Sequence, residues 1–138
     1  MTMRFAGRLV SALLLAALAG PVLAVEQGER APAFSAVDFA GRPVEFPAVA
    51  AGKPAVVVFL ATWCGYCRAF MPYLKNIAAD YAAYGVRIVT IKAKEDGRGA
   101  DQRAYVERLG FPNVAVANGD PVAAAYGVQY IPGLMIVD

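Results

Sequence analysis

The chain contains two cysteines, Cys64 and Cys67, and no histidine. Its reactive side chains are therefore centred on a single Cys-x-x-Cys pair, which permits one intramolecular disulfide. A bridge between positions i and i+3 closes a loop too short to stabilise a fold much through chain entropy, because that contribution grows with loop length. The spacing therefore favours a redox-active pair over a structural disulfide.

Two predicted strands flank the helix that must carry this pair. The continuous apolar run Ala55–Leu60 is typical of a strand buried on both faces. Apolar residues then recur at helical spacing and predict a helix from about Cys64 to Ala83, which ends by Gly85. Val86–Ile91 is a second buried-strand candidate, so the three elements predict a right-handed βαβ unit with parallel strands.

The position of Cys64 at the start of that helix predicts the role of each cysteine. The backbone N–H groups of a first helical turn are unpaired and the helix dipole is positive there, so a cysteine at this point favours the thiolate form. Thiolate is the attacking species in disulfide exchange, which makes Cys64 the predicted nucleophile. Cys67 lies one turn further along the same helix face and is predicted to resolve the mixed disulfide.

The rest of the sequence predicts one mixed α/β domain without internal repeats. Two apolar-rich segments, Ala33–Phe39 and Arg42–Phe46, indicate a hairpin near the N-terminus. Lys94–Gly99 is interpreted as a flexible, solvated loop, because its Gly-Arg-Gly lacks the glycine pattern of a nucleotide site. Further along, the pattern predicts a helix, a strand, a short helix and a last strand at Ala100–Leu109, Val114–Ala117, Pro121–Tyr126 and Leu134–Val137.

Residues 1–24 have the pattern of a secretory signal peptide, with cleavage expected after Ala24. Arg4 and Arg8 precede an apolar run that is too short to span a bilayer, although an uncleaved membrane anchor is the alternative. Loss of this leader brings the basic residues level with the acidic ones. The domain at residues 25–138 is therefore nearly neutral, with no electrostatic footprint for nucleic acid. Export to the periplasm would place both thiols where disulfides form and persist.

Metal binding is the main chemical alternative for a Cys-x-x-Cys pair. Structural zinc requires four protein ligands, and the chain offers no histidine and no third cysteine. Cu(I) held by two thiolates is the remaining alternative, because copper in this state is a soft metal. We expect no resident metal and no cofactor.

Three motifs resemble the thioredoxin superfamily: Thr62-Trp63-Cys64-Gly65-Tyr66-Cys67, then Pro72, then Ile131-Pro132. The export signal, the Ala31-Pro32-Ala33-Phe34 opening, and the extra helix and strand before Tyr126-Gly127-Val128 resemble its periplasmic TlpA/ResA-type branch. The resemblance implies a thioredoxin-like three-layer α/β/α sandwich with a mixed sheet. Such relatives continue into a further strand and a terminal helix, so a chain that stops at Asp138 is expected to be a fragment of a longer protein.

The same resemblance implies how a substrate is held. Pro132 is then the cis-proline that faces the disulfide, since a cis bond is largely confined to proline. The backbone of Ile131 pairs with an extended substrate segment as an added strand. Trp63, Gly65 and Tyr66 complete the predicted substrate-binding set.

Two departures from these relatives leave the proton relay unassigned. Val58 stands where thioredoxins carry Asp, and Phe70 stands where some ResA-like proteins carry Glu. The Gly65-Tyr66 dipeptide also differs from those of other branches, and no histidine beside Cys64 stabilises its thiolate. A strong oxidant depends on a stabilised reduced form, so we predict a reductant or a mild exchanger.

These observations favour a thiol:disulfide oxidoreductase that acts on the thiols or disulfides of exported proteins. Its electrons would come from a membrane or periplasmic donor. A non-catalytic binding module with a thioredoxin fold, or a Cu(I)-handling protein, is the alternative. A peroxiredoxin would need Thr where the chain has Ala61. Contact with the membrane is expected only if the signal segment is uncleaved.

Overall fold

The computed structural model describes residues 24–96 and 101–138, which form a mixed six-stranded sheet covered on both faces. The strands lie in the order β2-β1-β5-β4-β3-β6. The strands are β1 (Phe34–Asp38), β2 (Pro43–Phe46), β3 (Ala55–Leu60), β4 (Arg87–Lys92), β5 (Val114–Ala117) and β6 (Gly133–Val137). The helices are α1 (Gly65–Asp80), α2 (Gln102–Glu107) and α3 (Asp120–Ala125).

The centre of the sheet is the predicted βαβ unit. β3 pairs in parallel with β4, with Leu60 opposite Lys92, and β4 pairs in parallel with β5. On its other side β3 pairs antiparallel with β6, from Ala55 opposite Val137 to Phe59 opposite Gly133. The hairpin of β1 and β2 joins the opposite edge through an antiparallel pairing with β5. The carboxyl ends of β3 and β4, which are followed by α1 and α2, therefore lie side by side at one end of the sheet.

Alternate residues of β3 supply two separate cores. Val57 and Phe59 face α3 and the hairpin, while Val58 and Leu60 face α1 and α2 in the cluster that contains both cysteines. All six residues of β3 are buried, as the uninterrupted apolar run predicts. Removing a Val, Leu or Phe side chain from water contributes about 1.5–3 kcal/mol, so this strand is a rigid base for the residues that follow it.

The structure confirms the mixed α/β sandwich and every element predicted within the described residues; β3 and β5 have the predicted bounds, and the other elements have shifted ends. α1 stops at Asp80, three residues before the predicted end, because the chain tightens into a 3₁₀ turn at Ala82–Tyr84. Gly85 then adopts a φ of 75°, a left-handed conformation that glycine tolerates without strain. β4 runs one residue later than predicted and so includes Lys92.

Two expectations concern residues outside the described part of the chain. The signal segment falls almost wholly on residues 1–23, and the Gly-Arg-Gly of the predicted loop falls on residues 97–99. Within the described ranges, no helix is long and apolar enough to cross a membrane.

Candidate active site

Cys64 and Cys67 form a disulfide where β3 ends and α1 begins. Their Cα atoms are 5.2 Å apart, which suits a bridge across one helical turn. Cys64 is the N-cap residue of α1, and its Sγ accepts a hydrogen bond of 3.0 Å from the backbone N–H of Cys67. A donor aimed at this sulfur, together with the positive end of the helix dipole, favours the thiolate when the bridge is opened.

The two sulfurs differ in exposure and in neighbours. Cys67 is fully buried and Cys64 is 3% exposed, so substrate access favours Cys64. The carbonyl oxygen of Ile131 lies 3.8 Å from Cys64 Sγ, and the Ile131–Pro132 peptide bond is cis. The loop before β6 is thus folded directly against the sulfur of Cys64.

Exposed aromatic side chains stand beside this nearly buried disulfide in the chain. Trp63 is 42% exposed and Tyr66 is 82% exposed, and both flank Cys64 in sequence. Tyr130, immediately before Ile131, is 86% exposed and was not singled out from the sequence. Tyr130 lies at a bend between Gln129 and Ile131, and no local pattern there predicts such exposure.

The turn that leads into Cys64 is held by the segment after β4. Thr62 donates twice to Glu95: its backbone N–H to Oε1 and its hydroxyl to Oε2, each at 2.7 Å. The indole Nε1–H of Trp63 donates to the carbonyl oxygen of Lys94 at 2.7 Å. From the other side, the Arg68 guanidinium donates to the carbonyl oxygen of Thr62 at 3.0 Å. The segment is a loop and Lys94 is exposed, as predicted, but the Lys94 carbonyl and the Glu95 carboxylate make contacts with residues more than thirty positions away in sequence, which the loop prediction did not include.

Lys92 is a buried cation behind this turn. Its side chain is 0% exposed, its Nζ lies 3.6 Å from Glu95 Oε1, and the same atom sits 3.9 Å from the centre of the Tyr105 ring. Among the residues that the structure describes, no acceptor is within hydrogen-bond distance of Nζ. Burial lowers the pKa of Lys92 from 10.5 to about 8, and Glu95 opposes that shift. Burial also raises the pKa of Tyr105.

The two positions where the family resemblance leads us to expect an acid lie in apolar surroundings. Val58 is fully buried in the cluster that holds both cysteines, and Phe70 is half-buried against it. Within residues 24–96 and 101–138, no group of three or more His, Cys, Asp or Glu side chains is placed to hold a metal ion.

A separate open cleft of about 430 Å³ runs between α1 and α2. Arg68 and Tyr105 connect it to the network around Thr62. Its other lining residues are Met71, Pro72, Lys75, Arg108 and Leu109. The cysteines do not line it, so this cleft is not the site of disulfide exchange.

Comparison with known proteins agrees with this fold and this pair. The Redoxin family model matches residues 26–138. Thiol-disulfide oxidoreductase ResA of Geobacillus thermodenitrificans (strain NG80-2) is 32% identical over 136 residues, covering 91% of this chain and 76% of the relative. ResA of Bacillus thuringiensis (strain Al Hakam) is 31% identical over 111 residues, covering 80% of this chain but only 63% of the relative.

Solved structures show the same architecture. The thioredoxin domain of a thiol-disulfide oxidoreductase from Bacteroides vulgatus superposes with a TM-score of 0.69 at 25% identity, covering 83% of each chain. A thioredoxin family thiol:disulfide interchange protein from Chlorobium tepidum gives a TM-score of 0.64 at 27% identity, covering 83% of this chain and 81% of that one. The chain belongs to the Redoxin family and is a ResA-like member of the thioredoxin superfamily. The family resemblance inferred from the Cys-x-x-Cys motif is confirmed.

Proposed function

We propose that this protein exchanges disulfides with exported proteins through Cys64 and Cys67, acting as a reductant. The observation that carries the proposal is the environment of Cys64 Sγ. This atom caps α1, accepts the Cys67 N–H at 3.0 Å, and lies 3.8 Å from the Ile131 carbonyl oxygen. The names of the ResA relatives, which span more sequence than this chain, support the same chemistry.

The reaction begins from the reduced pair. The Cys64 thiolate attacks one sulfur of a substrate disulfide, and the other substrate sulfur leaves as a thiolate that takes up a proton. The Cys67 thiol then loses its proton and attacks Cys64 Sγ, which forms the Cys64–Cys67 bridge and releases the second substrate thiol. Two electrons pass to the substrate, and a dithiol donor must return them to the protein.

The substrate segment would lie along the loop before β6. In the proposal, an extended segment pairs with the backbone of Ile131, and Pro132 keeps that loop against Cys64. Trp63, Gly65 and Tyr66 form the surface on which residues beside the substrate cysteine rest. The exposure of Trp63 and Tyr66 supports this role, because large apolar faces left in water favour contact with a partner.

The proposed compartment is the periplasm, reached through a leader cleaved after Ala24. The basic, apolar and small-residue pattern of residues 1–24 supports it. Intact mass measurement of the protein from a periplasmic extract tests this: a chain that starts at Val25 is expected. Recovery of a chain that still starts at Met1, or recovery only from the cytoplasm, would contradict it.

The direction of exchange is tested by the reduction potential of the Cys64–Cys67 couple against glutathione or dithiothreitol buffers. A reductant is expected to lie closer to thioredoxin, at about −270 mV, than to DsbA, at about −120 mV. Catalysed reduction of a disulfide-bonded model protein, with dithiothreitol as donor, provides the matching activity. A potential near that of DsbA would reverse the proposed direction.

A further inference from the structure

We propose that Glu95 and Lys92 together are a positioning device that sets the ionisation of Cys64 by holding the Thr62-Trp63 turn and by balancing charge behind it. The inference deepens the proposed exchange function and rests on it. It assigns a role to two residues that lie outside the Cys-x-x-Cys motif and outside the loop before β6.

Glu95 binds the turn through both oxygens of one carboxylate. Thr62 is 4% exposed and supplies two donors, its N–H and its hydroxyl, at 2.7 Å each. Hydrogen bonds to an ionised acceptor are stronger than neutral ones, and shielding from water strengthens them further. The charged form of Glu95 is therefore the form that fixes Thr62.

The segment that carries Glu95 is itself anchored. Ala93 donates through its backbone N–H to the carbonyl oxygen of Leu60 at 3.1 Å, and the Lys94 N–H donates to Asp120 Oδ1 at 2.6 Å. Since Trp63 also donates to Lys94, both residues that precede Cys64 are tied to a fixed segment. A shift of this segment would therefore reach the N-cap of α1.

Lys92 is the part of the arrangement that packing alone does not explain. A fully buried ammonium that finds no hydrogen-bond acceptor in residues 24–96 and 101–138 is costly, and an apolar side chain would fill the same space at the end of β4. What a lysine adds is a positive charge 3.6 Å from Glu95. The Tyr105 ring stabilises that charge from α2, because a cation over an aromatic face is attracted to it.

The charged and titratable groups around this pair come from three elements. Glu95 faces Lys92 from the segment after β4, and Tyr105 faces it from α2. Arg68 on α1 donates to the carbonyl oxygen of Thr62, and its positive charge opposes the rise in the pKa of Tyr105. With both members ionised, the pair adds almost no net charge behind the turn. Removal of one member leaves the charge of the other uncompensated behind the turn that leads into Cys64.

This charge balance predicts shifts of opposite sign. Glu95→Gln keeps one acceptor for Thr62 and leaves the protonated Lys92 without its counter-charge, so the pKa of Cys64 is expected to fall. Because Glu95 raises the pKa of Lys92, this variant is compared in the acidic part of the pH profile, where Lys92 keeps its proton. Lys92→Met leaves Glu95 uncompensated, so the pKa of Cys64 is expected to rise. If the two residues only held the turn in place, both substitutions would loosen it and would shift the pKa of Cys64 in the same direction.

The experiment measures the Cys64 pKa as the only thiol, in a Cys67→Ser background, from thiolate absorbance and from the pH profile of iodoacetamide alkylation. We expect opposite shifts of about half a pH unit or more, and a double variant that returns near the starting value. Glu107→Gln on α2 and Lys75→Met on α1 are the matched controls, expected to leave the pKa unchanged.

Fluorescence of Trp63, the single tryptophan, reports whether the turn is intact in each variant. If Lys92→Met does not fold, Lys92→Gln provides the same loss of charge with a polar side chain. Shifts of equal sign, or no shift in folded variants, would overturn the inference. Because no partner protein takes part in this measurement, its outcome is separate from that of the proposed exchange function.

Discussion

The indole N–H of Trp63 donates to the carbonyl oxygen of Lys94, at 2.7 Å, and so joins the residue before the predicted nucleophile to the segment after β4. We expect Trp63→Phe to keep an aromatic ring but to lose this bond. The free energy of unfolding should fall by about 1 kcal/mol, the usual net contribution of one hydrogen bond. Urea titration followed by circular dichroism measures the change, and Tyr66→Phe, at an exposed site, is the control expected to show none.

Lys92 predicts a pH dependence of stability whose sign follows from its lowered pKa. The pKa of Lys92 is about 8 in the folded protein and 10.5 in the unfolded chain. Between these two pH values the unfolded chain binds more protons than the folded protein, so the free energy of unfolding rises with pH. The slope for one such group has an upper limit of about 1.4 kcal/mol per pH unit.

Lys92→Met removes that slope. The unchanged protein gains stability between pH 8 and 9.5 and the variant does not, so the difference between their free energies of unfolding should change across this range, by at most about 1.4 kcal/mol per pH unit. Denaturant titrations across this range test it, with Lys75→Met as control. A difference that is constant with pH would show that Lys92 does not titrate in this window.

The burial of Val58 predicts how much an acid at this position would lower the free energy of unfolding. The side chain is fully buried among apolar neighbours, so Val58→Asp introduces a carboxylate with no partner and should cost about 3 kcal/mol or more. The same change at Val37, which is 42% exposed, should cost less than about 1 kcal/mol. Equal losses at the two sites would contradict the apolar character assigned to this side of the sheet.

The exposed aromatics predict an effect on substrate binding without an effect on stability. Tyr66→Ala and Tyr130→Ala should raise the KM for a protein disulfide, because each ring offers apolar surface to a partner, while kcat changes less. Steady-state reduction of a model protein measures both. Tyr84→Ala, at an exposed site in the 3₁₀ turn after α1, is the control, and an equal effect there would remove the case for a binding surface at the cysteines.

The parts of the fold that the sequence predicted best are those where a local pattern suffices. Both ends of β3 were predicted correctly, because a short uninterrupted apolar run is typical of a buried strand. The start of α1 was predicted because Cys64 precedes residues with clear helical periodicity. The last residue of β4, Lys92, was not predicted as part of the strand, because a lysine normally ends a buried strand. In the structure Lys92 pairs with Leu60 of β3, so the strand continues into the buried part of the sheet. No local pattern marks that kind of burial.

The cysteine pair and Pro132 were recognised from motifs, but the support behind them was not. Glu95 lies in a polar stretch that is typical of a solvated loop, and its partner Thr62 is 33 positions away. A contact of that separation depends on the parallel register of β3 and β4, which brings the ends of both strands together. The sequence therefore predicted the candidate reacting pair, and the structure added the residues that hold the turn before it.

The central claim is that Cys64 attacks and Cys67 resolves. The most direct measurement is to mix reduced Cys67→Ser and Cys64→Ser variants with a disulfide-bonded protein and to analyse the products by non-reducing electrophoresis and peptide mass spectrometry. Cys67→Ser should accumulate a mixed disulfide through Cys64, while Cys64→Ser should form little, because Cys67 is fully buried. Accumulation through Cys67 instead, or no mixed disulfide with either variant, would contradict this account.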